Sequence, residues 1–301
     1  MSTPQTAIIP DHCQAGIYIE ARVAAKQTDP IKAACRQSLL ALAQLQNAFP
    51  QHKLGLTIAF GADLWRRFQH IGEGEQIKPF RPLGNGLCPA TQCDIMLHIQ
   101  SMEHKLNYAL ASQVLAAFGD TIHIDNETHG FRLLENRGIE GFVDGTENPQ
   151  GDEKVQQVGI IAEGKDVGGS YIVLQKYVHN LPKWNCISVS QQEACIGRSK
   201  QQNEEFSRAE RLPDSHLSRT NLKENGVGLK IVRRSLPFGT VSGEHGLMFI
   251  AYCAQLHNIE QQLLSMFGET DGKTDLLLTH LTHVQRSAYY YAPSVERLQQ
   301  L

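Results

Sequence analysis

The sequence predicts an α+β protein made of two ferredoxin-like domains, each an antiparallel sheet with helices on its outer face. Strand-like and helix-like segments alternate along the first half in the order strand, helix, strand, strand, helix, strand, which is the order of a split β-α-β unit. A looser version of that order returns in the second half. The length agrees, because 301 residues exceed the usual size of one domain. We place the domains at residues 1–138 and 139–301.

Hydrophobic periodicity predicts the elements of the first half. Apolar and polar residues alternate over 15–23 as in a half-buried strand, and apolar residues recur at helical spacing over 30–48, after the start signal Asp29-Pro30. The same reasoning completes the half in chain order with strand 54–60, helix 62–69, a loop rich in proline and glycine at 77–88, strand 94–100, helix 102–118 and strand 122–134.

The second half gives the same kinds of pattern, more widely spaced. We expect strands at 171–177, 230–235 and 247–254, and helices at 259–267 and within 181–196. A helix-like run follows Asp275.

Composition and charge exclude several classes of protein. Hydrophobic residues make up 41% and charged residues 20%, as in ordinary globular proteins. The net charge of -3, with no Lys/Arg run longer than Arg233-Arg234, argues against a nucleic-acid partner. We find no signal peptide and no apolar run of about 18 residues, so we expect a soluble cytoplasmic protein without a membrane partner. The seven cysteines contain no C-x-x-C pair, which argues against a disulfide framework or a zinc ribbon.

The most informative segment is GFVDGTENP at residues 141–149. Its glycines allow positive φ and close approach of the backbone, and its Asn-Pro pair disfavours a helix. Local structure does not require the carboxylate of Asp144. An ordinary Asp-Gly turn is the alternative explanation. The segment predicts that Asp144 is presented rigidly in a pocket.

Two later segments add a histidine and an arginine. PDSHLSRTN at 213–221 contains His216, and KIVRRSLPFG at 230–239 contains Arg233. Together with GGSY at 168–171, IGRSK at 196–200 and FIAY at 249–252, these segments resemble the dye-decolourising peroxidases, most nearly their compact bacterial B-type members. The resemblance runs from about residue 10 to residue 295, and its three longest motifs occur in the family's order.

The resemblance implies a haem-dependent peroxidase. Such a protein binds one non-covalent haem b per chain, reduces hydrogen peroxide through a ferryl intermediate, and oxidises dyes or other small electron donors. The implied fold has two ferredoxin-like domains whose sheets face each other in a barrel-like arrangement, with the haem pocket in the second domain. Similar proteins form dimers, tetramers or hexamers, so we expect a homo-oligomer. Some are packaged in nanocompartments through a C-terminal tail; the short segment after Pro293 makes packaging a weaker expectation.

By the same resemblance, His216 is the proximal ligand of the haem iron, and Asp144 and Arg233 are the catalytic pair on the other face. Asp144 moves a proton between the peroxide oxygens while Arg233 stabilises the developing negative charge. We choose Arg233 over Arg234 because Arg233 matches the family's arginine when the segment is aligned on Pro237-Phe238-Gly239; strand alternation adds that only one of the two faces inward. Asp275 is the candidate acceptor for the second ring nitrogen of His216, and a helix N-cap is its alternative role.

The remaining site predictions concern the walls of the haem pocket. Arg198 is the candidate partner of a haem propionate, with a surface salt bridge as the alternative. Ser235 stands where some B-type relatives have Asn, which leaves the number of donors around peroxide open. Leu247 and Phe249 are predicted to cover the distal pocket, or simply to be core residues.

Bulky donors need electron transfer through aromatic side chains, for which the candidates are Trp184, Tyr252 and the tyrosines at 289–291; core packing is the alternative for each. His280 and His283 could share a helical face as metal ligands, but no third ligand accompanies them.

Two other functions remain to be weighed. A haem-handling protein, which binds porphyrin for iron release or transfer, would need the ligand and the propionate contact but not the acid and arginine. A cofactor-free interaction module would leave Asp144, His216 and Arg233 without a common purpose.

Overall fold

The computed structural model describes residues 2–24 and 28–301. Its strands in chain order are β1 (Ala15–Val23), β2 (Gly55–Phe60), β3 (Ile95–Ser101), β4 (Ile122–Phe131), β5 (Ser170–His179), β6 (Lys223–Glu224), β7 (Val227–Gly228), β8 (Val232–Arg233), β9 (Leu236–Gly239), β10 (His245–Cys253) and β11 (Thr282–Ala292). Its α-helices are α1 (Asp29–Ala48), α2 (Ala62–Arg67), α3 (His104–Phe118), α4 (Asp152–Gly159), α5 (Leu181–Asn185), α6 (Val189–Ile196), α7 (His216–Thr220), α8 (Leu256–Met266), α9 (Leu276–His280) and α10 (Val295–Gln300).

Strands from both halves form one closed antiparallel ring in the order β5-β11-β2-β3-β1-β4-β9-β10, which closes because β10 also pairs with β5. The first half contributes β2-β3-β1-β4 and the second β9-β10-β5-β11. If the four ring strands of each half are numbered along the chain, both halves follow the order second, third, first, fourth.

The two halves meet at narrow junctions. Tyr291 pairs with Phe60 between β11 and β2, and Gly130 pairs with Phe238 between β4 and β9. A Cβ atom on Gly130 would lie 2.8 Å from Cβ of Leu236, so glycine is required for the close approach at the second junction.

Alternation along the strands separates the interior of the ring from an outer layer. The interior cluster is formed by buried side chains that include Tyr18, Met96, Ile172, Leu174, Val232, Met248, Ile250, Tyr252 and Tyr290. The residues between them point outward, where helices cover them. In the first half, the buried residues of α1 and α3 pack against Ile17, Ile19, Leu97 and Ile99.

Most of the element predictions are confirmed, including the element order of the first half. The second half differs in several places, and its helices α4 and α10 were not predicted. The segment 230–235 contains only the two-residue strand β8, because the chain turns before β9. The strand β11 was not predicted, since its tyrosines at 289–291 were interpreted only as electron-transfer candidates or core aromatics. The shared helical face for His280 and His283 is wrong, because His280 ends α9 and His283 lies in β11.

No helix in the described part of the chain combines the length and apolarity needed to cross a bilayer.

Candidate active site

A cavity of about 210 Å³ lies in the second half, between the outer face of the sheet and the helices that cover it. The sheet side is lined by Val173, Tyr177, Leu247 and Phe249, from β5 and β10. The helical side includes Ile259 and Leu263 of α8 and Leu277 of α9. The walls are mainly apolar, as expected of a site for a large flat ligand.

His216 is the first residue of α7 and lines this cavity. Its Nδ1 lies 2.6 Å from Oδ2 of Asp275, a carboxylate that is fully buried. The other carboxylate oxygen, Oδ1, accepts from the backbone N–H of Leu277 at 2.9 Å and caps α9. Asp275 therefore fills both of the roles that the sequence left open. With Nδ1 occupied, Nε2 is the ring nitrogen of His216 left for a ligand in the cavity.

The His216–Asp275 pair is held in place by Arg219, a residue that sequence reasoning missed. The Arg219 guanidinium donates to Asp271 at 2.8 and 3.1 Å and, through Nε, to the carbonyl of Pro213 at 3.0 Å. The backbone N–H of Leu276 donates to the carbonyl of Asp214 at 3.0 Å. These bonds tie the segment before His216 to the segment that carries Asp275. An arginine three residues after the histidine, on a short helix, is the signal that could have been followed.

Asp144 and Arg233 come together in the same cavity, with Nη1 of Arg233 3.7 Å from Oδ1 of Asp144. Asp144 is fixed from both sides, because its N–H donates to the carbonyl of Asn136 at 2.8 Å and its Oδ1 accepts from the N–H of Gly145 at 2.6 Å. Gly145 has a φ of 83°, which favours glycine. The turn thus presents the acid rigidly, as the motif predicts.

Asn148 joins this turn to β8. Its side-chain amide donates to the carbonyl of Arg233 at 2.9 Å, and its Oδ1 accepts from the N–H of Arg233 at 2.8 Å. Both bonds go to the backbone of the residue that faces Asp144. Asn148 therefore sets the relative position of the acid and the arginine, although the sequence suggested only a helix-breaking Asn-Pro pair.

The adjacent Arg234 points away from the cavity. It is 4% exposed, and its guanidinium donates to the carbonyls of Ile8 at 3.0 Å and Ile9 at 2.7 Å. Arg233, in contrast, lines the cavity with a side chain that is 23% exposed. The geometry agrees with the choice of Arg233 as the pocket arginine.

Arg198 also lines the cavity, where its guanidinium already has several partners. It contacts Glu147 at 3.2 Å, Glu205 at 3.5 Å and the side-chain oxygen of Asn203 at 3.0 Å. Lys230 reaches the other oxygen of Glu147 at 3.4 Å. A ligand carboxylate at Arg198 would therefore compete with Glu147.

Ser235 is placed elsewhere. It borders a second, polar cavity of about 50 Å³ that Asp144 and Arg233 also line, and it is not among the residues around the larger cavity. Its hydroxyl accepts from the N–H of Ile250 at 3.1 Å and is 3.4 Å from the carbonyl of the same residue. This hydroxyl is engaged by the sheet rather than directed at the Asp144–Arg233 pair.

Two further titratable residues, Glu140 and His179, line the larger cavity. Burial raises the pKa of Glu140 to about 7, and the nearby charge of Asp144 adds to the rise. Burial lowers the pKa of His179 to about 4, so its imidazole is neutral at physiological pH. Glu140 lies only four residues before Asp144, but its half-buried position depends on the tertiary fold.

The residues present fit a haem group. The cavity supplies apolar walls for a porphyrin, an imidazole whose second nitrogen is bound to a buried carboxylate, and cationic side chains at Arg198 and Lys230. It also holds an acid–arginine pair that no apolar ligand would require.

The fold and the site define a class of protein: an oxidoreductase that contains an antiparallel ring of strands and a haem-sized pocket with an acid–arginine pair. The chain belongs to the Dyp-type peroxidase family, since the family's N-terminal model matches residues 5–132 and its C-terminal model matches residues 135–297. It is therefore a haem peroxidase. None of the described contacts favours haem handling instead.

Individual relatives agree with this assignment. A dye-decolorizing peroxidase from Brevibacterium linens is 37% identical over 251 residues, which is 81% of this chain and 68% of that protein. A dye-decolorizing protein from V. cholerae has a TM-score of 0.92 at 39% identity, covering 98% of this chain and 99% of that one. A variant of DypB from Rhodococcus jostii, solved in complex with heme, has a TM-score of 0.91 at 28% identity, covering 99% and 98%.

Proposed function

We propose that the larger cavity binds one non-covalent haem b and that Nε2 of His216 is the iron ligand. The supporting observation is the 2.6 Å contact between Nδ1 of His216 and the buried Asp275, which fixes the ring and increases its electron donation. Haem bound there would supply the redox chemistry that splits the O–O bond of peroxide and holds the oxidising equivalents for a donor.

The observation that carries the catalytic proposal is that Asp144 and Arg233 line one cavity with His216, at 3.7 Å from each other. The carboxylate of Asp144 accepts a proton from one peroxide oxygen and returns it to the other, which leaves as water. The guanidinium of Arg233 stabilises the negative charge that develops during the cleavage. Leu247 and Phe249 exclude water from this side of the cavity.

Arg198 is proposed as the partner of a haem propionate. Its contacts with Glu147 and Asn203 hold the guanidinium at the cavity edge, and a propionate would replace part of the interaction with Glu147. The pairing of a guanidinium with a carboxylate is strong enough for this exchange. The Ser235 hydroxyl, which is bonded to the backbone of Ile250, has no direct role in peroxide cleavage in this proposal.

Stopped-flow absorbance of the haem-loaded protein mixed with one equivalent of hydrogen peroxide tests these roles. Asp144→Ala and Arg233→Ala should each slow the change in the haem spectrum by about 10²–10³-fold. Asp152→Ala, which removes an exposed carboxylate at the start of α4, is the control and should react like the parent. If the two pocket variants also react like the parent, Asp144 and Arg233 do not cleave peroxide.

We further propose that residues 1–138 and 139–301 are two ferredoxin-like units, since both halves show the same strand order. The cavity then lies between the sheet and helices of the second unit. Its electron donors would be dyes or other small molecules, which are the substrates named for similar proteins. A cytoplasmic homo-oligomer remains our expectation. Size-exclusion chromatography with light scattering would test the oligomeric part, and a strictly monomeric protein would contradict it.

A further inference from the structure

The interior of the ring contains a tyrosine–histidine pair that the peroxidase site does not use. The phenol oxygen of Tyr252 lies 2.7 Å from Nδ1 of His98, and neither side chain is exposed to solvent. The ring of Tyr18 stacks on the imidazole, with 4.8 Å between centroids and 7° between planes. A short hydrogen bond between a phenol and an imidazole, both fully buried, is a chemical arrangement that packing alone does not require.

The pair lies directly behind the wall of the larger cavity. Tyr252 is on β10, three residues after Phe249, which lines the cavity. The strand rise places their Cα atoms about 10 Å apart. The residue before Tyr252, Ala251, is paired with Arg233 on β8. Tyr252 is therefore within electron-tunnelling distance of the cavity but on the opposite face of the sheet.

The imidazole of His98 can accept the proton of an oxidised Tyr252 phenol through this hydrogen bond. Burial, together with the positive charge of Arg234, lowers the pKa of His98 to about 3, so the imidazole is neutral at physiological pH. If Nε2 carries the ring proton, Nδ1 presents a lone pair to the phenol. Among the described residues Nε2 of His98 has no hydrogen-bond partner in either tautomer, so the contact with Tyr252 is the one hydrogen bond of this ring.

The aromatic residues nearer the cavity lack such an acceptor. Tyr177 lines the cavity, but its hydroxyl donates to the side-chain amide oxygen of Gln175 at 2.9 Å. Nε1 of Trp184 donates to the backbone carbonyl of Glu140 at 3.2 Å. Amide oxygens do not take up a proton at neutral pH, so neither ring has a base at its hydrogen bond that could accept its proton on oxidation.

We propose that Tyr252 is a redox-active residue of this peroxidase, with His98 as its proton acceptor. One electron passes from the phenol ring to the haem pocket, where peroxide has left an oxidising equivalent. The phenolic proton moves along the hydrogen bond to Nδ1 of His98, which yields a neutral tyrosyl radical and an imidazolium. A donor later returns the electron, and the imidazolium returns the proton. The inference rests on the proposed haem peroxidase function.

This arrangement would protect the oxidising equivalent when no donor is bound. Tyr252, His98 and Tyr18 are each 0% exposed, so the radical could not meet another tyrosine from solution or couple to a second chain. The electron reaches the cavity through the part of the sheet that carries Arg233.

The experiment is electron paramagnetic resonance of haem-loaded protein, frozen at intervals after mixing with one equivalent of hydrogen peroxide and no donor. The parent protein should show a tyrosyl radical, identified by its narrowing when the chain is made with ring-deuterated tyrosine. Tyr252→Phe should lose most of this signal while its haem spectrum still responds to peroxide. The matched control is Tyr290→Phe, an interior tyrosine bonded to Glu20 at 2.9 Å, which should keep the signal.

Loss of the signal in Tyr290→Phe but not in Tyr252→Phe would overturn the proposal. If Tyr252→Phe does not fold, the parent still provides a test. Its radical should couple to an exchangeable hydrogen, seen as a deuteron coupling after exchange into D₂O, because the imidazolium donates to the radical oxygen; a radical without that coupling refutes the pair. A haem spectrum that does not respond to peroxide in any variant would instead refute the peroxidase function.

Discussion

The two halves of the molecule have the same strand order but differ in the layer that covers the outer face of the sheet. In the first half, two long helices of 20 and 15 residues lie on the outer face of the sheet, and buried side chains such as Leu42, Leu106 and Leu110 fill the space between. In the second half, the corresponding layer contains helices of 5 to 11 residues and the cavity of about 210 Å³.

The difference shows what makes a helix–sheet layer into a site. Long amphipathic helices can bury an unbroken apolar face, which excludes ligand and stabilises the fold. Where helices are short, helix ends and loops are frequent, and here they supply polar groups of the cavity. His216 is the first residue of α7, and Asp275 caps α9. The first half is therefore expected to provide stability, and the second half chemistry.

The most direct test compares one leucine from each layer. Leu110→Ala, on α3, removes a fully buried side chain and should lower the free energy of unfolding by about 2–5 kcal/mol. Leu247, at the cavity wall, already lacks neighbours on one side. Leu247→Ala should therefore lower the free energy of unfolding by about 1 kcal/mol or less. Urea denaturation measures both, and equal losses would show that the two layers are packed alike.

Replacing the carboxylate of Asp275, which contacts His216, should lower catalytic turnover more than it lowers stability. Asp275→Asn keeps the cap of α9 but weakens the interaction with Nδ1 of His216, so turnover with peroxide and a dye should fall about 10–100-fold. Asp94→Asn is the matched control in the first half, where the carboxylate accepts from the N–H of Val23 at 2.8 Å. If both variants lose the same activity, the effect of Asp275 is structural.

Glu140 should make the second half sensitive to pH. Burial raises its folded pKa to about 7, above its value in the unfolded chain, so the folded state binds the proton more tightly. Stability from this group is present at acidic pH and is lost as pH rises through about 7. Glu140→Gln should therefore stabilise the protein at pH 8 by about 1–2 kcal/mol, allowing for water in the open cavity, and not at pH 4.

Thermal unfolding across this pH range would measure the effect of Glu140. The exposed Glu163→Gln serves as the control and should leave the profile unchanged. An identical profile for Glu140→Gln would mean that its carboxyl is well solvated.

The smallest effect is expected at Ser235, which belongs to the sheet rather than to the cavity. Ser235→Ala removes the acceptor of the Ile250 N–H and should lower stability by about 1 kcal/mol, with the rate of peroxide cleavage nearly unchanged. Stopped-flow and urea measurements on the same variant separate the two effects. A large fall in the rate would assign the hydroxyl to peroxide binding after all.

The sequence by itself determined much of the first half, because its strands and helices follow clear periods of two and of 3.6 residues. Through motifs that resemble those of a known family, it also predicted Asp144, His216 and Arg233 as the main site residues. The choice of Arg233 over Arg234 came from its position relative to Pro237-Phe238-Gly239 in the family's motif, and strand alternation showed only that one of the two faces inward.

Only the tertiary structure decided how distant segments meet. The closed ring joins the halves through single residue pairs, which leave no local pattern. Four features depend on groups that the fold brings together from distant parts of the chain. They are the double role of Asp275, the hydrogen bonds of Asn148 to the backbone of Arg233, the raised pKa of Glu140 and the bond between Tyr252 and His98. Hydrogen bonding and desolvation depend on distance in space, whereas periodicity reports only the immediate neighbours of a residue in sequence.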